Sequence, residues 1–445
     1  PPRSTLDRSS AASDVYKRQS LYHVCSFPFP TEFVVMKKQA IIGSTIINGT
    51  GSEPLRNGTI LIQDGKIGEV GKADQIKLDP DVERIDATGK FTMPGIIDSH
   101  VHVTPNQDVP NDIRINLRVG FNSISLLRQS LGAGVTTVVS IGGGPPSVEL
   151  TNAINEGYVD RCANQITAGV VNASGGHVRG RHADGPWEIR KAVRELASAG
   201  CTMIKTAATA GFQWEHERVH WPDYTEEELT ALVDEARMRD MPVAAHAHGH
   251  EGLKYAVNAR VHMIHHGALI DDEGLEAINK ADLYFVPTLF TTSIGRVAKV
   301  EQPWTKQRME AAYPIHREGV SKAHKMGTKI ALGTDGGAGD AMIELSEFVD
   351  CGLSPMDAIV AGTRNTADAL SILDRVGTIE SGKDADLLII GKNPLDDINV
   401  LQNQENIDLV MTHGKVQTTS NEMKAYLDPR LDGPPRRIVR VNVDM

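Results

Sequence analysis

Short apolar runs alternate with amphipathic stretches between residues 91 and 334. This alternation is typical of buried parallel strands separated by helices. One intervening stretch, 186–200, places its apolar residues on a single helical face, and another begins with Thr225 and Glu228 in the spacing of a capping box. The apolar runs are FTMPGIID (91–98), VTTVVSI (135–141), QITAGVV (165–171), CTMIKTA (201–207), PVAAHA (242–247), HMIHH (262–266), LYFVPT (283–288) and KIALGT (329–334). Eight β–α repeats predict an α/β protein with a (β/α)8, TIM-like barrel.

The chain on either side of this region shows strand patterns without helices. Between residues 37 and 90, the runs NGTILIQ and KIGEVG are joined by Asp64-Gly65, a dipeptide typical of tight hairpins. After Val376 the strand pattern returns in VGTIESGKDADLLIIG and IDLVMTHGKVQ. We therefore expect both chain ends to form a small β-sandwich domain beside the barrel.

These changes of pattern predict a domain organisation. Residues 1–35 are aperiodic and lack the charged start and cleavage site of a signal peptide, so we expect a disordered or non-native leader. The β-sandwich domain is predicted to comprise residues 36–90 and 376–430, and the barrel residues 91–375.

Composition excludes several classes of partner. The net charge of −11 argues against nucleic acid or an anionic membrane surface as a partner. The four cysteines are far apart and form no CxxC pair, which favours a reducing, cytoplasmic compartment. No apolar run approaches the ~20 residues that a membrane-spanning helix needs. The expected partner is a small-molecule or dipeptide substrate.

The ends of the predicted barrel strands are rich in metal-binding groups, and active sites of such barrels lie at these ends. His100 and His102 are two residues apart on a strand, so their side chains share one face. Lys205 lies in an apolar run, where an ammonium group must be paired, lowered in pKa or chemically modified unless it reaches solvent. Other strand ends carry His246, His248, His265, His266 and Asp335. Five predicted strand ends carry such groups, and a shared metal centre explains them better than five unrelated structural roles.

The motifs GIIDSHVH, IKTAATAG, VAAHAHG, IHHG and LGTDGG resemble the amidohydrolase superfamily, in particular its imidazolonepropionase-related branch. That branch includes Xaa-Pro dipeptidase-like carboxypeptidases and ochratoxin-hydrolysing amidases. The resemblance implies two divalent metal ions, with zinc expected and manganese, cobalt or iron as alternatives. The implied ligands are His100, His102 and Asp335 for the more buried ion, His246 and His266 for the more exposed ion, and N-carboxylated Lys205 as the bridge. His266 directly precedes the glycine, and since strand neighbours point to opposite faces, His265 is expected to be a core or packing residue.

The resemblance also implies a mechanism. A hydroxide bridging the two ions is the expected nucleophile, and Asp335 is the expected general base and then general acid. His177, which follows the third predicted strand, resembles a substrate-contacting histidine. His248, on the same strand face as His246, is a further expected catalytic and substrate-binding group. Tyr224, in an aromatic-rich loop, is the predicted third substrate contact.

The motifs leave the substrate open. Hydrolysis of an amide or peptide bond next to a carboxylate, as by an Xaa-Pro dipeptidase or an N-acyl amino acid amidase, is the leading interpretation. The alternatives are opening of a cyclic amide, deamination of a heterocycle, and a non-catalytic barrel scaffold. Lys205 argues against deamination, and the retention of all six ligands argues against a scaffold. The resemblance further implies a homo-oligomer.

Overall fold

The computed structural model describes residues 38–103, 113–337 and 339–419, and the predicted leader, residues 1–35, lies outside this part. The strands are β1 Gln39–Ile46, β2 Leu55–Gln63, β3 Lys66–Lys72, β4 Glu83–Asp86, β5 Phe91–Pro94, β6 Ile96–Val101, β7 Val135–Ile141, β8 Asn164–Asn172, β9 Arg181–His182, β10 Met203–Ala207, β11 Val243–Ala247, β12 Met263–His266, β13 Tyr284–Val286, β14 Lys329–Ile330, β15 Leu387–Ile390, β16 Ile407–Thr412 and β17 Lys415–Thr419.

The helices follow the barrel strands. They are α1 Ile113–Gly132, α2 Gly144–Asn155, α3 Gly185–Ser198, α4 Glu226–Arg237, α5 His250–Asn258, α6 Asp272–Ala281, α7 Ile294–Val297, α8 Pro303–Lys325, α9 Asp340–Asp350, α10 Pro355–Val360 and α11 Thr366–Ala369. Helix α4 begins with the predicted capping box, because Thr225 accepts from the Glu228 amide and Glu228 bonds back to Thr225. In the described part of the chain, no helix combines the length and apolar character needed to cross a bilayer.

Eight parallel strands form the predicted barrel. Their order is β6-β7-β8-β10-β11-β12-β13-β14, with β9 attached to β8. Strand β6, the first strand of the barrel, meets the segment after β14. There Val101 pairs with Gly336 in parallel, and the Ser99 amide donates to the Leu332 carbonyl. This contact joins the two edges of the sheet and brings residues after β14 next to those at the end of β6.

The remaining strands come from both chain ends and form a second, mixed sheet with the order β17-β16-β15-β5-β1-β2-β3, in which β4 also pairs with β1. Its apolar side chains form one core that includes Ile41 and Ile60 from the first half and Leu387 and Met411 from the second. The Asp64-Gly65 turn joins β2 and β3 as predicted, with φ values of 52° and 79°. The boundaries of the two domains stay a prediction.

One predicted strand is divided between the two sheets. The run 91–98 gives β5, which pairs with β15, and β6, which pairs with β7. The change occurs at Gly95, where a Cβ atom would overlap the side chain of Thr136. A glycine there allows the chain to pass from the small sheet into the barrel at close range.

Candidate active site

Three of the predicted metal ligands meet where the barrel closes. His100 is the penultimate residue of β6, His102 directly follows this strand, and Asp335 follows β14. Asp335 Oδ1 lies 2.9 Å from His102 Nε2 and 3.5 Å from His100 Nε2. The Nδ1 of His102 lies 3.2 Å from the Ile141 carbonyl, which can only accept, so Nδ1 carries the proton and Nε2 faces Asp335.

Asp98 holds this corner together, and the sequence reasoning missed it. Its buried carboxylate accepts from the His100 amide at 3.0 Å, the Thr334 amide at 3.1 Å and the Thr334 hydroxyl at 2.7 Å. Burial raises the pKa of Asp98 to about 7, although these hydrogen bonds oppose the rise. The available signal was a single carboxylate in an otherwise apolar strand, two residues before His100.

The next predicted ligands, His246 and His266, lie beside this group. Their ring centroids are 4.4 Å apart, and the His266 ring is 5.1 Å from that of His100. Potential ligand atoms of His100, His266 and Asp335 all lie within 4.8 Å of one another. The Nδ1 of His266 is 2.8 Å from the Thr288 hydroxyl, so this bond fixes the orientation of the ring.

Lys205 is fully buried inside the barrel with His265 beside it. Its Nζ lies 2.9 Å from His265 Nδ1, and the same nitrogen of His265 lies 2.9 Å from His100 Nδ1. His265 is thus a buried packing residue, yet it contacts the ligand cluster together with His266. The expectation that only one of the two faces the cluster is wrong, because His266 has a left-handed backbone with φ of 77° that breaks the strand alternation.

Burial controls the protonation of the site. It lowers the pKa of five histidines well below the ordinary value, and the neighbouring positive groups lower it further; these are His100, His246, His248, His265 and His266. Burial acts to raise the pKa of Asp335, but the favourable interactions with neighbouring His102 and Lys205 bring it below the usual range. At neutral pH the site therefore presents neutral imidazoles and a carboxylate, the forms that bind metal.

Several buried nitrogens lack a hydrogen-bond partner among the described residues. They include His246 Nε2 and His248 Nδ1. Buried polar atoms are rarely left unsatisfied, and each costs about 1–3 kcal/mol. A divalent cation bound to His246 Nε2 would satisfy that nitrogen, so the donor set fits a metal site.

Two predicted substrate contacts line the same region. The His248 ring is 4.5 Å from that of His246 and 4.4 Å from that of Phe212. The His177 ring is 4.3 Å from that of His246, and its Nδ1 is 2.8 Å from Glu217 Oε1. Glu217 was not singled out from the sequence, because an acidic residue in a polar loop gives no distinctive signal.

Tyr224, the third predicted substrate contact, is a buried residue of the hydrophobic core. It is 2% exposed and packs in the main hydrophobic core, and its hydroxyl donates to the Ala183 carbonyl at 2.8 Å. The ring packs in the core and the hydroxyl bonds to the backbone, so these contacts do not support Tyr224 as a substrate contact.

Comparison with known proteins agrees with this geometry. Residues 91–417 match the amidohydrolase family. The chain is 28% identical to ochratoxinase from Aspergillus niger, covering 88% of this chain and 92% of that protein. It is 24% identical to imidazolonepropionase from Rhizobium rhizogenes, covering 78% of this chain and 92% of that protein.

Comparison with a solved structure also supports a relationship to amide hydrolases. An Xaa-Pro dipeptidase with methionine bound in its active site superposes with a TM-score of 0.77 at 28% identity, covering 85% of this chain and 99% of that chain. The match to the family covers most of the chain and includes the barrel with its cluster of histidines. The chain belongs to the amidohydrolase family and is a hydrolase that acts on the carbon–nitrogen bonds of amides.

Proposed function

We propose that the protein is a binuclear metal-dependent hydrolase that cleaves an amide or peptide C–N bond next to a carboxylate group. The observation that carries this proposal is the convergence of neutral buried histidines, one carboxylate and one buried lysine at the closing corner of the barrel. Such a donor set suits zinc.

The ligands divide into two groups in this proposal. His100, His102 and Asp335 hold the more buried ion, and His246 and His266 hold the more exposed one. The contact of Asp335 with both His100 and His102 supports the first group. Two observations support the second group: the His246 and His266 rings are close together, and His246 Nε2 has no hydrogen-bond partner within the described ranges.

As a carbamate, Lys205 would supply oxygen ligands to both ions. Burial lowers the pKa of Lys205 to about 7, so much of the amine is neutral near pH 7. A neutral amine adds to carbon dioxide and releases one proton, and the product is an anion with two oxygen donors. This modification converts a costly buried cation into a ligand that two cations require.

The chain's own groups handle the substrate and the proton. The bound ions would supply hydroxide at neutral pH and polarise the substrate carbonyl. Asp335 is ionised, so it can accept the proton of the attacking water and pass it to the leaving nitrogen. His177 and His248 contact the substrate, including its carboxylate, and Tyr224 takes no part.

Opening of a cyclic amide is the second candidate. The similarity to an imidazolonepropionase over 78% of the chain favours it. The two reactions differ in their products, since ring opening releases no separate amine. The cytoplasmic location, the homo-oligomer and the choice of an Xaa-Pro dipeptide or an N-acyl amino acid stay predictions.

The test combines metal analysis with a substrate panel. The zinc-loaded enzyme is expected to hold about two zinc ions per chain and to release free amine from some Xaa-Pro dipeptides or N-acyl amino acids. The Lys205→Met variant, which nearly keeps the side-chain volume, should bind less metal and be almost inactive. Lys191→Met, at an exposed lysine on α3, is the matched control.

Two results would contradict the proposal. One is a metal-free sample that remains fully active. The other is a Lys205→Met enzyme that keeps wild-type turnover at limiting metal, because a bridging ligand cannot be dispensable for a binuclear site.

A further inference from the structure

The segment from Gly211 to Glu217 packs around the His177 side chain. Glu217 Oε1 lies 2.8 Å from His177 Nδ1. A Cβ atom on Gly211 would overlap the imidazole ring, so only glycine leaves room for the ring there. The Trp214 indole N–H donates to the His177 carbonyl at 3.4 Å. The loop that the sequence presents as aromatic-rich is thus packed around one histidine.

The backbone of His177 is also fixed. Its amide donates to Asp223 Oδ2 at 2.7 Å. The Trp214 indole bonds to the His177 carbonyl, so the amide and the carbonyl of His177 both bond to the loop between β10 and α4. His177 therefore has little freedom to rotate away from His246, whose ring is 4.3 Å away.

Glu217 is itself held in place. It is 5% exposed, and its Oε2 accepts from the Trp214 amide at 3.1 Å. Burial acts to raise the pKa of Glu217, but the hydrogen bonds from His177 and from backbone amides bring it below the usual range. The group is a carboxylate, which can only accept hydrogen bonds, so His177 Nδ1 must carry a proton.

We infer that Glu217 is a positioning residue that keeps the proton of His177 on Nδ1 and thereby presents Nε2 to the substrate. Nε2 is the nitrogen left for a substrate once Nδ1 is committed to Glu217. Glu217 accepts from Nδ1 in both protonation states of His177. The ring is therefore held in the same position whether it is neutral, with a lone pair on Nε2, or cationic, with a proton on Nε2. The inference rests on the proposed function only in assigning the substrate contact to His177.

A Glu217→Gln substitution separates this role from simple packing. The two carboxylate oxygens have different partners, since Oε1 accepts from the His177 ring and Oε2 accepts from the Trp214 amide. A glutamine has the same shape but only one accepting oxygen. If its NH2 group faces His177, the ring must adopt the other tautomer; if its oxygen faces His177, the bond to Trp214 is lost.

The experiment is a double-mutant cycle in the zinc-loaded enzyme with Glu217→Gln and His177→Asn. Glu217→Gln alone should lower kcat/KM by at least about tenfold, because a charge-assisted hydrogen bond is lost. In the His177→Asn background it should lower kcat/KM no further, because Glu217 acts through His177. The control is Glu215→Gln, the same change at an exposed position of the same loop, which should match the wild type.

A spectroscopic measurement reads the tautomer without a substrate. Long-range 1H–15N spectra of the zinc-loaded, 15N-histidine-labelled protein should show His177 protonated at Nδ1, with the signal assigned by its loss in His177→Asn. In Glu217→Gln the His177 signals should change, either through the other tautomer or through loss of the charged acceptor at Nδ1, while zinc content stays the same. This result stands even if no tested amide is hydrolysed, so it separates a failure of this inference from a failure of the proposed function.

The inference is overturned if Glu217→Gln leaves the His177 spectrum unchanged. It is equally overturned if the activity loss is as large in the His177→Asn background as in the wild type, since Glu217 would then act on the fold alone. If Glu217→Gln folds poorly, Gly211→Ala provides the second variant, because its methyl group displaces the ring. Its activity loss should likewise vanish in the His177→Asn background.

Discussion

Tyr224 belongs to the main hydrophobic core, and its hydroxyl group is buried with the ring. It is 2% exposed, and its single described partner is the Ala183 carbonyl. Burial and the nearby carboxylates raise the pKa of Tyr224, so the hydroxyl stays protonated and acts as a donor. The side chain therefore contributes to the fold by packing and by one buried hydrogen bond.

Tyr224→Phe should destabilise the protein by about 1–3 kcal/mol, because the Ala183 carbonyl is left without a donor. Its kcat/KM should match the wild type. Urea unfolding and steady-state kinetics measure the two effects. Tyr255→Phe, at a partly buried tyrosine that packs against the same core, is the control and should change neither. A loss of activity in Tyr224→Phe without a loss of stability would restore Tyr224 as a substrate contact.

His265 and His266 set the limit of residue-scale prediction. Strand periodicity predicts that His100 and His102 share one face, and both side chains reach Asp335 although the register of β6 shifts between Asp98 and Val101. It fails for His265 and His266, because His266 adopts a φ of 77° at the end of β12. Non-glycine residues rarely adopt this conformation, and it depends on tertiary contacts that a local pattern does not contain.

At the scale of elements, helix α8 supports the site through a contact with the backbone of His266. His316 is fully buried on this helix, and its Nε2 donates to the His266 carbonyl at 2.9 Å. The Thr292 hydroxyl lies 2.9 Å from its Nδ1. Burial lowers the pKa of His316 to about 4, so the ring is neutral, with its proton on Nε2. This contact holds the backbone of His266 in its unusual conformation.

His316→Ala should therefore weaken metal binding, with the more exposed ion lost at roughly 10- to 100-fold lower chelator concentration, the range found for groups that support ligands. Metal retention is measured by dialysis against graded chelator followed by elemental analysis. His324→Ala, on the same helix, should retain metal like the wild type. Equal retention by the two variants would show that the His266 backbone needs no support from α8.

The barrel strands themselves were predictable because each is a short apolar run between helices. The predicted run 135–141 coincides with β7, and 165–171 lies within β8. The division of 91–98 at Gly95 was not predictable, since both halves are apolar and only their partners, β15 and β7, distinguish them. A local pattern identifies a strand but does not identify its sheet.

At the scale of the whole molecule, Asp386 joins the two sheets. Its side chain accepts from Asn164 of β8 at 3.0 Å and from the His413 amide at 2.7 Å, and its carbonyl accepts from the Gly95 amide at 2.9 Å. Asn164 and Asp386 are 222 residues apart in the chain. The sequence predicts that both ends form one sheet, but it gives no signal for such long-range contacts.

Buried titratable groups give the metal-free molecule a pH-dependent stability. Five buried histidines have pKa values well below their ordinary value, and His316 has a pKa of about 4. In the unfolded chain each binds a proton below pH ~6.5, whereas in the fold it does not, so their contribution is complete above that pH and is lost as the pH falls. Five carboxyls act in the opposite direction, because burial raises the pKa of Asp98 to about 7 and that of Glu344 to about 8, and it also raises the pKa values of Asp223, Asp340 and Asp386.

The histidines outnumber these carboxyls, so the free energy of unfolding of the metal-free protein should fall between pH 7.5 and 5. Each histidine contributes on the order of 1.4 kcal/mol per pH unit below pH ~6.5, from which the opposing carboxyl contribution is subtracted. Chemical unfolding of chelator-treated protein at a series of pH values measures the change. Zinc-saturated protein should keep its stability to lower pH, because the metal competes with protons for the same nitrogens. If the stability of the metal-free protein instead rises as the pH falls over this range, the contribution of the buried carboxyls exceeds that of the histidines, and the prediction is wrong.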